Sequence, residues 1–196
     1  MEPENFYNTV NLELFNNSDS FPNLREDVNY LITEIADVME KIKNYLNKKE
    51  DFPHQLIHGD LHHENILCLI DEKNGNSVSA ILDFEFVSWD LRAMELAICL
   101  SKFASEAEPL NFFEAFIKGF FVNAELNEFE INAVVDLIIL RIVSNFVYFV
   151  GRYLGKEETL ELCLNKVRVY ANRVRWLKEN YDKIIEILSN YSKKNK

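Results

Sequence analysis

Asp60 and Asn65 are separated by four residues, and His58 stands two residues ahead of the aspartate, in Leu56-Ile57-His58-Gly59-Asp60-Leu61-His62-His63-Glu64-Asn65-Ile66-Leu67. Asp83 follows eighteen residues after Asn65, at the end of the apolar run Ala80-Ile81-Leu82. A carboxylate at Asp60 can accept the proton of an attacking hydroxyl. A neutral amide oxygen and a second carboxylate are hard donors of the kind that hold magnesium beside phosphates. These residue types suit phosphoryl transfer to an alcohol, where positioning and a metal supply most of the acceleration. A rival chemistry is a metallohydrolase, because all four histidines, His54, His58, His62 and His63, lie in or just before the loop. His54, His58 and His62 have helical spacing, but Pro53, Gly59 and the apolar pair Leu56-Ile57 oppose a helix there.

Elements on either side must position these groups. Gln55 to His58 and Asn65 to Ile70 read as short strands. The run Asp71-Glu72-Lys73-Asn74-Gly75-Asn76 reads as a hairpin turn, with Asn-Gly its strongest signal, and Val78 to Leu82 as the returning strand. That hairpin brings Asn65 and Asp83 to the same end. The strands are expected to stop after Asp83. Upstream, Leu24, Val28, Leu31, Ile35, Val38 and Ile42 recur at helical spacing, with Asn23 a cap and Glu26 able to complete a capping box.

Downstream, Asp90 is expected to cap a helix from Leu91 to Ala104. Pro109 suits the first turn of the next helix, to Val122. Asn127 caps a long apolar helix to Tyr153, and Glu157 to Tyr191 is mostly helical. The fold class is therefore mainly α with a small β-hairpin, an α+β arrangement.

The net charge of −11 repels phosphate backbones and anionic bilayers, so neither nucleic acid nor a membrane is an expected partner. Asp136, Arg141 and Asn145 interrupt the most apolar stretch, Ala133 to Val150, which reads as a core helix rather than a bilayer span. Cys68, Cys99 and Cys163 are odd in number, far apart and without a CxxC pair, which fits a reducing cytoplasm. Phe112, Phe113, Phe116, Phe120 and Phe121 are core candidates, part of them candidates for a bared interface. Arg141 reads as a satisfied buried charge before an anion contact.

His58-x-Asp60-x-x-x-x-Asn65 is the kinase catalytic-loop pattern. The run His58 to Leu67, with Ile81-Leu82-Asp83-Phe84-Glu85 and Asp90-Leu91-Arg92-Ala93-Met94-Glu95-Leu96-Ala97, resembles the aminoglycoside phosphotransferase and choline kinase family of small-molecule kinases. Within it, the chain looks most like the branch of type II homoserine kinases. The resemblance covers roughly residues 52–180. It implies the carboxyl-terminal lobe of a protein kinase-like fold, magnesium as cofactor, and ATP and a small-molecule alcohol as substrates. By it Asp60 is the catalytic base, Asn65 and Asp83 are the metal ligands, and His58 braces the loop. His62, Glu85, Asp90 and Arg92 are assigned to substrate contact or to structure, with His62 a loop brace and Asp90 and Glu95 mainly structural.

The resemblance also implies an amino-terminal lobe with a glycine-rich loop and a strand lysine. No Gly precedes Gly59, and Lys41 to Lys49 fall at a helix end. The expectation is a carboxyl-terminal lobe over 23–191, an irregular linker over 1–22 and a disordered tail over 192–196. Such a chain is a truncated product, a fragment, or half of a split gene with a separately encoded lobe as partner. Three readings follow: a phosphotransferase acting on a hydroxyl, with an amino alcohol such as homoserine the preferred acceptor; an inactive remnant or split-gene lobe acting as a binding partner; and the metallohydrolase. The acids Asp60, Asp83 and Asp90 would suit a cationic acceptor, although metal and base chemistry claim the same groups.

Overall fold

A computed structural model of the chain describes residues 25–47, 52–71, 73, 75–104 and 106–193. The expected cap Asn23, the linker 1–22 and the tail beyond Lys193 lie outside the described residues. The first helix, α1 (Arg25–Leu46), buries Val28, Leu31, Ile35, Val38 and Ile42, the apolar stripe read from the sequence. Four short strands follow: β1 (His54–Ile57), β2 (Ile66–Leu69), β3 (Ser77–Ile81) and β4 (Ser88–Leu91). The remaining helices are α2 (Arg92–Phe103), α3 (Pro109–Phe120), α4 (Glu128–Leu154), α5 (Leu160–Glu179) and α6 (Tyr181–Lys193).

The hairpin forms as expected: β2 and β3 pair antiparallel, with Ile66 opposite Ile81. Gly75 takes φ +85° in its turn, a conformation that costs glycine little. The strands do not end after Asp83, however. β4 pairs antiparallel with β1, His54 opposite Leu91 and Ile57 opposite Ser88. Asp90 therefore lies in a strand and does not cap α2; its Oδ1 accepts from the Leu91 N–H at 2.7 Å. Leu91 takes the cap position without a side-chain bond.

α4 is the centre of the helical body, with α1, α2, α5 and α6 packed around it. Asn127 starts it with a full capping box: its Oδ1 accepts from the Glu130 N–H at 2.9 Å, and Glu130 Oε2 accepts from the Asn127 N–H at 2.8 Å. Glu130 also holds Arg92 through Nε at 3.0 Å and Nη2 at 2.6 Å. That bidentate pair ties the start of α2 to the start of α4 and makes Arg92 an architectural residue. α4 is long and apolar enough to cross a membrane, but 67% of its most apolar window is buried in this fold. The mostly helical stretch Glu157 to Tyr191 forms as two helices that meet at Asn180, whose side-chain amide donates to the Trp176 carbonyl at 2.9 Å.

The charge inside α4 is satisfied from α1. Asp136, with only 4% of its side chain exposed, accepts from Lys41 Nζ at 2.8 Å and from the Tyr45 hydroxyl at 2.5 Å. Lys41→Met should cost about 2 kcal/mol in urea unfolding, because it leaves a buried carboxylate short of a partner. The double variant Lys41→Met/Asp136→Leu should recover part of that loss, since no orphaned charge then remains. Recovery of none of it would show that the pair is not what the single variant breaks.

Candidate active site

The loop between β1 and β2 is held from three sides. The His58 N–H donates to Glu95 Oε2 on α2 at 2.5 Å. The His58 ring donates from Nε2 to the Leu82 carbonyl at 2.8 Å and receives the Asp60 N–H at Nδ1, 3.4 Å away. One side chain thus locks the start of the loop to the end of β3. Gly59 stands at φ +82°, and a Cβ there would meet the Phe86 carbonyl oxygen at 2.4 Å. The turn Phe84–Phe86 presses on the loop that closely, so both backbone shape and space call for glycine.

Asp60 lies beyond that brace. Its Oδ1 receives Arg141 Nη2 of α4 at 2.6 Å, and its Oδ2 faces His62 Nε2 at 3.4 Å. His62 accepts the Glu64 N–H at Nδ1, 3.3 Å away, so it caps the short turn His63–Asn65. Asn65 is buried, and its side-chain Nδ2 donates to the Asp60 carbonyl at 3.0 Å. Its amide oxygen is left to accept. The Asn65 carbonyl receives the Leu82 N–H at 2.9 Å, which sets Asn65 beside the strand that leads into Asp83.

Asp83 takes φ 64°, ψ 67°, a left-handed backbone rare outside glycine, and its carboxylate makes no capping bond. Such strain costs about 1–3 kcal/mol and persists where the surroundings over-determine it. Glu85 follows on the exposed turn, and the Phe84 ring sits 4.8 Å from the His58 ring. Asn65 and Asp83 offer two hard oxygen donors at one end of the hairpin, a set that fits magnesium.

The three-histidine facet does not exist. His54 is in β1, with Nδ1 on the Phe52 carbonyl side at 3.1 Å, while His58 and His62 are in the loop. Among the described residues no group of three or more His, Cys, Asp or Glu is placed to hold a metal by itself, and nothing supports the metallohydrolase. The expected acidic pocket is also revised. Asp90 stands opposite Gln55, further along the ribbon from the loop than the Ile57–Ser88 pair. Asp60 is met by a cation, Arg141, which the sequence reading placed as a structural charge first.

Sequence reasoning missed Lys102, a half-buried lysine of α2 whose ammonium burial pushes below the ordinary lysine range. A signal for Lys102 was present: Glu95, Cys99 and Lys102 have i, i+4, i+7 spacing, one face of a helix. Cys99 on that face is inert, because burial pushes its thiol up to about 12, helped by the charges of Glu95 and Asp60.

The aromatic run is mostly core: Phe113 and Phe121 are buried and Phe116 and Phe120 pack on the core, while Phe112, 45% exposed, stacks on Phe103 at 5.6 Å. Further exposed apolar residues gather on the two ribbons, among them Leu56, Ile70, Val78, Phe84 and Trp89.

A helical body that carries a braced Asp/Asn loop and a following Asp at the end of a hairpin defines a lobe of the protein kinase-like class. A model of the phosphotransferase enzyme family matches residues 7–129, and the chain belongs to that family. It is 30% identical over 118 residues to a homoserine kinase of Zymomonas mobilis, covering 58% of this chain and 35% of that protein. It is 41% identical over 58 residues to a homoserine kinase of Rhodopseudomonas palustris, covering 30% of this chain and 16% of that protein. The chain thus spans about a third or less of the length of these relatives. An ethanolamine kinase of Plasmodium vivax superposes with a TM-score of 0.53 over 90% of this chain and 49% of that one; at 17% identity the likeness concerns the fold.

Proposed function

We propose that the chain is the catalytic-loop lobe of a cytoplasmic small-molecule kinase that moves the γ-phosphoryl group of ATP to the hydroxyl of an amino alcohol such as homoserine. The observation that carries this reading is the interlock of His58, Asp60, Asn65 and Leu82, which holds a carboxylate, an amide oxygen and the Asp83 carboxylate around one end of the hairpin. In the proposed reaction the acceptor oxygen bonds to the γ-phosphorus, the bond from that phosphorus to the ADP oxygen breaks, and the hydroxyl proton passes to Asp60. Magnesium held by Asn65 and Asp83 would neutralise phosphate charge. Asp60 orients the hydroxyl and takes its proton; His58 and Gly59 fix the backbone from which it projects. Asp60 Oδ1 is engaged by Arg141, and Oδ2, which faces His62 Nε2 at 3.4 Å, is the oxygen that would meet the hydroxyl.

The apolar surface of the two ribbons supports a second lobe seated there, carried on the same polypeptide or encoded separately, because soluble proteins seldom leave so many large apolar side chains together in water. That lobe would cover the nucleotide. The relatives named as homoserine kinases support the choice of acceptor.

Calorimetric titration of the chain with ATP, with and without magnesium, tests the reading. Magnesium-dependent binding is expected, weak in the absence of the second lobe. Asp83→Asn should weaken it about tenfold or more, since even loss of a residue that only supports a metal ligand costs about 10–100-fold in affinity. An unchanged magnesium dependence would remove Asp83 as a ligand. No binding by the unaltered chain would mean that the chain as it stands is not a kinase.

A further inference from the structure

The hydrogen bonds that brace the loop stop at the backbone of Asp60. Its N–H donates to His58 Nδ1, and its carbonyl accepts from Asn65 Nδ2. Neither bond fixes the torsions that aim the carboxylate, and a general base must point correctly as well as stand in place. Among the described residues two side chains meet that carboxylate. His62 Nε2 lies 3.4 Å from Oδ2, long for a hydrogen bond. Arg141 Nη2 lies 2.6 Å from Oδ1, and with the two side chains 17% and 16% exposed, water competes little for the pair.

Arg141 is not set there to satisfy its own hydrogen bonds. Its Nε is buried with no partner among the described residues, a cost to the fold that calls for an explanation. The residue rises from the middle of α4, where Ile138, Ile142 and Val143 are fully buried and α1, α2, α5 and α6 pack around the helix. A contact made from such an element refers the carboxylate to the rigid body of the lobe rather than to the loop that carries it. Resting on the kinase reading above, we propose that Arg141 is a positioning residue: it holds Asp60 in one rotamer, with Oδ1 occupied and Oδ2 presented to the acceptor hydroxyl. In this role Arg141 touches neither the acceptor nor the phosphates. A single guanidinium nitrogen makes the contact, so a lysine ammonium can stand in for it, as it could not for a bidentate grip.

NMR on the unaltered chain, Arg141→Met and Arg141→Lys tests this. Three-bond couplings from the Asp60 carboxyl carbon to its backbone nitrogen and carbonyl carbon report whether one χ1 rotamer or several are populated. The unaltered chain should show one rotamer, Arg141→Met averaged couplings, and Arg141→Lys most of the single rotamer restored. Arg141→Gln, too short to reach Oδ1, serves the same comparison where Arg141→Met does not fold. The Leu82 amide and the His58 ring nitrogens should keep their shifts throughout, because the loop backbone keeps its own bonds, and magnesium-ATP should bind every variant equally. In the complete kinase, with the second lobe present, Arg141→Met should lower kcat about a hundredfold, the scale of a misaimed reacting group, with KM for ATP unchanged. A single rotamer that survives Arg141→Met, or an unchanged kcat, gives the aim to His62 or to the loop and overturns the assignment. Couplings already averaged in the unaltered chain overturn it as well. Movement of the His58 and Leu82 signals in Arg141→Met makes the arginine a general support of the loop and likewise overturns it. Failure of the unaltered chain to bind magnesium-ATP, with the couplings as expected, brings down the kinase reading instead and leaves the held rotamer without a reaction to serve.

Discussion

Asp60→Asn is expected to lower kcat about a thousandfold, within the range of about 10²–10⁴ that a positioned general base contributes. The substitution keeps the shape of the side chain and removes its capacity to take a proton. Asparagine Oδ1 can still accept from Arg141 Nη2, now 2.6 Å from the aspartate oxygen, so the loop should stay in place. The loss in stability should accordingly be small, about 1 kcal/mol, the value of a charge-assisted contact reduced to an ordinary hydrogen bond. Magnesium-ATP affinity should not change, because Asp60 is not among the proposed metal donors. Steady-state kinetics of the complete kinase, with the second lobe present, give kcat; denaturant unfolding of the chain gives the stability. Full activity in Asp60→Asn would remove it as the base. A large loss of stability with little loss of turnover would make Asp60 a structural anchor for Arg141.

Gly59→Ala should be the most damaging single methyl group in the site. The left-handed backbone at φ +82° costs an alanine about 1–2 kcal/mol. The added Cβ would also stand 2.4 Å from the Phe86 carbonyl oxygen, and that neighbour is backbone, which cannot rotate away. Either the turn Phe84–Phe86 or the loop must move, at a further cost of about 1–3 kcal/mol. The total should approach about 3 kcal/mol in unfolding free energy. A shift of the loop also misplaces Asp60, so turnover should fall about a hundredfold even where the variant folds. Gly75→Ala is the control: it shares a positive φ, +85°, but nothing stands within 4 Å of its added Cβ. It should cost about 1 kcal/mol and leave turnover alone. Equal effects at the two glycines would show that the contact with Phe86 is not a constraint on the loop.

The elements that were legible in the chain were those whose signal is local. The stripe of α1, the cap at Asn127 and the Asn-Gly turn each depend on residues a few positions apart. The strand β4 was missed for the converse reason. Ser88-Trp89-Asp90-Leu91 carries little alternation, and the partner that makes it a strand, β1, begins 34 positions earlier, with Leu91 opposite His54. With β4 unseen, Asp90 looked like a helix cap. Within the mostly helical stretch Glu157 to Tyr191, the boundary at Asn180 was not legible, because its amide reaches the Trp176 carbonyl while the apolar stripe runs on across both helices.

By itself the sequence determined the chemistry-bearing loop. His58, Gly59, Asp60 and Asn65 lie within eight residues, and one hairpin returns the chain to Asp83, so types and spacing define the group. What surrounds Asp60 was decided only in three dimensions. Arg141 arrives from α4, 81 positions along the chain from Asp60, and sets Nη2 at 2.6 Å from its Oδ1. In the sequence it looks like an ordinary charge on its own helix. Whether such a charge reaches the loop depends on how the helices cross α4, which is set by the fit of side chains over the whole core. Coulomb interactions act over a few ångströms between groups the sequence holds far apart. The chain therefore spells out an acid, an amide and a second carboxylate on one loop and hairpin, whereas the cation that meets the acid, Arg141, belongs to the packing of the helices.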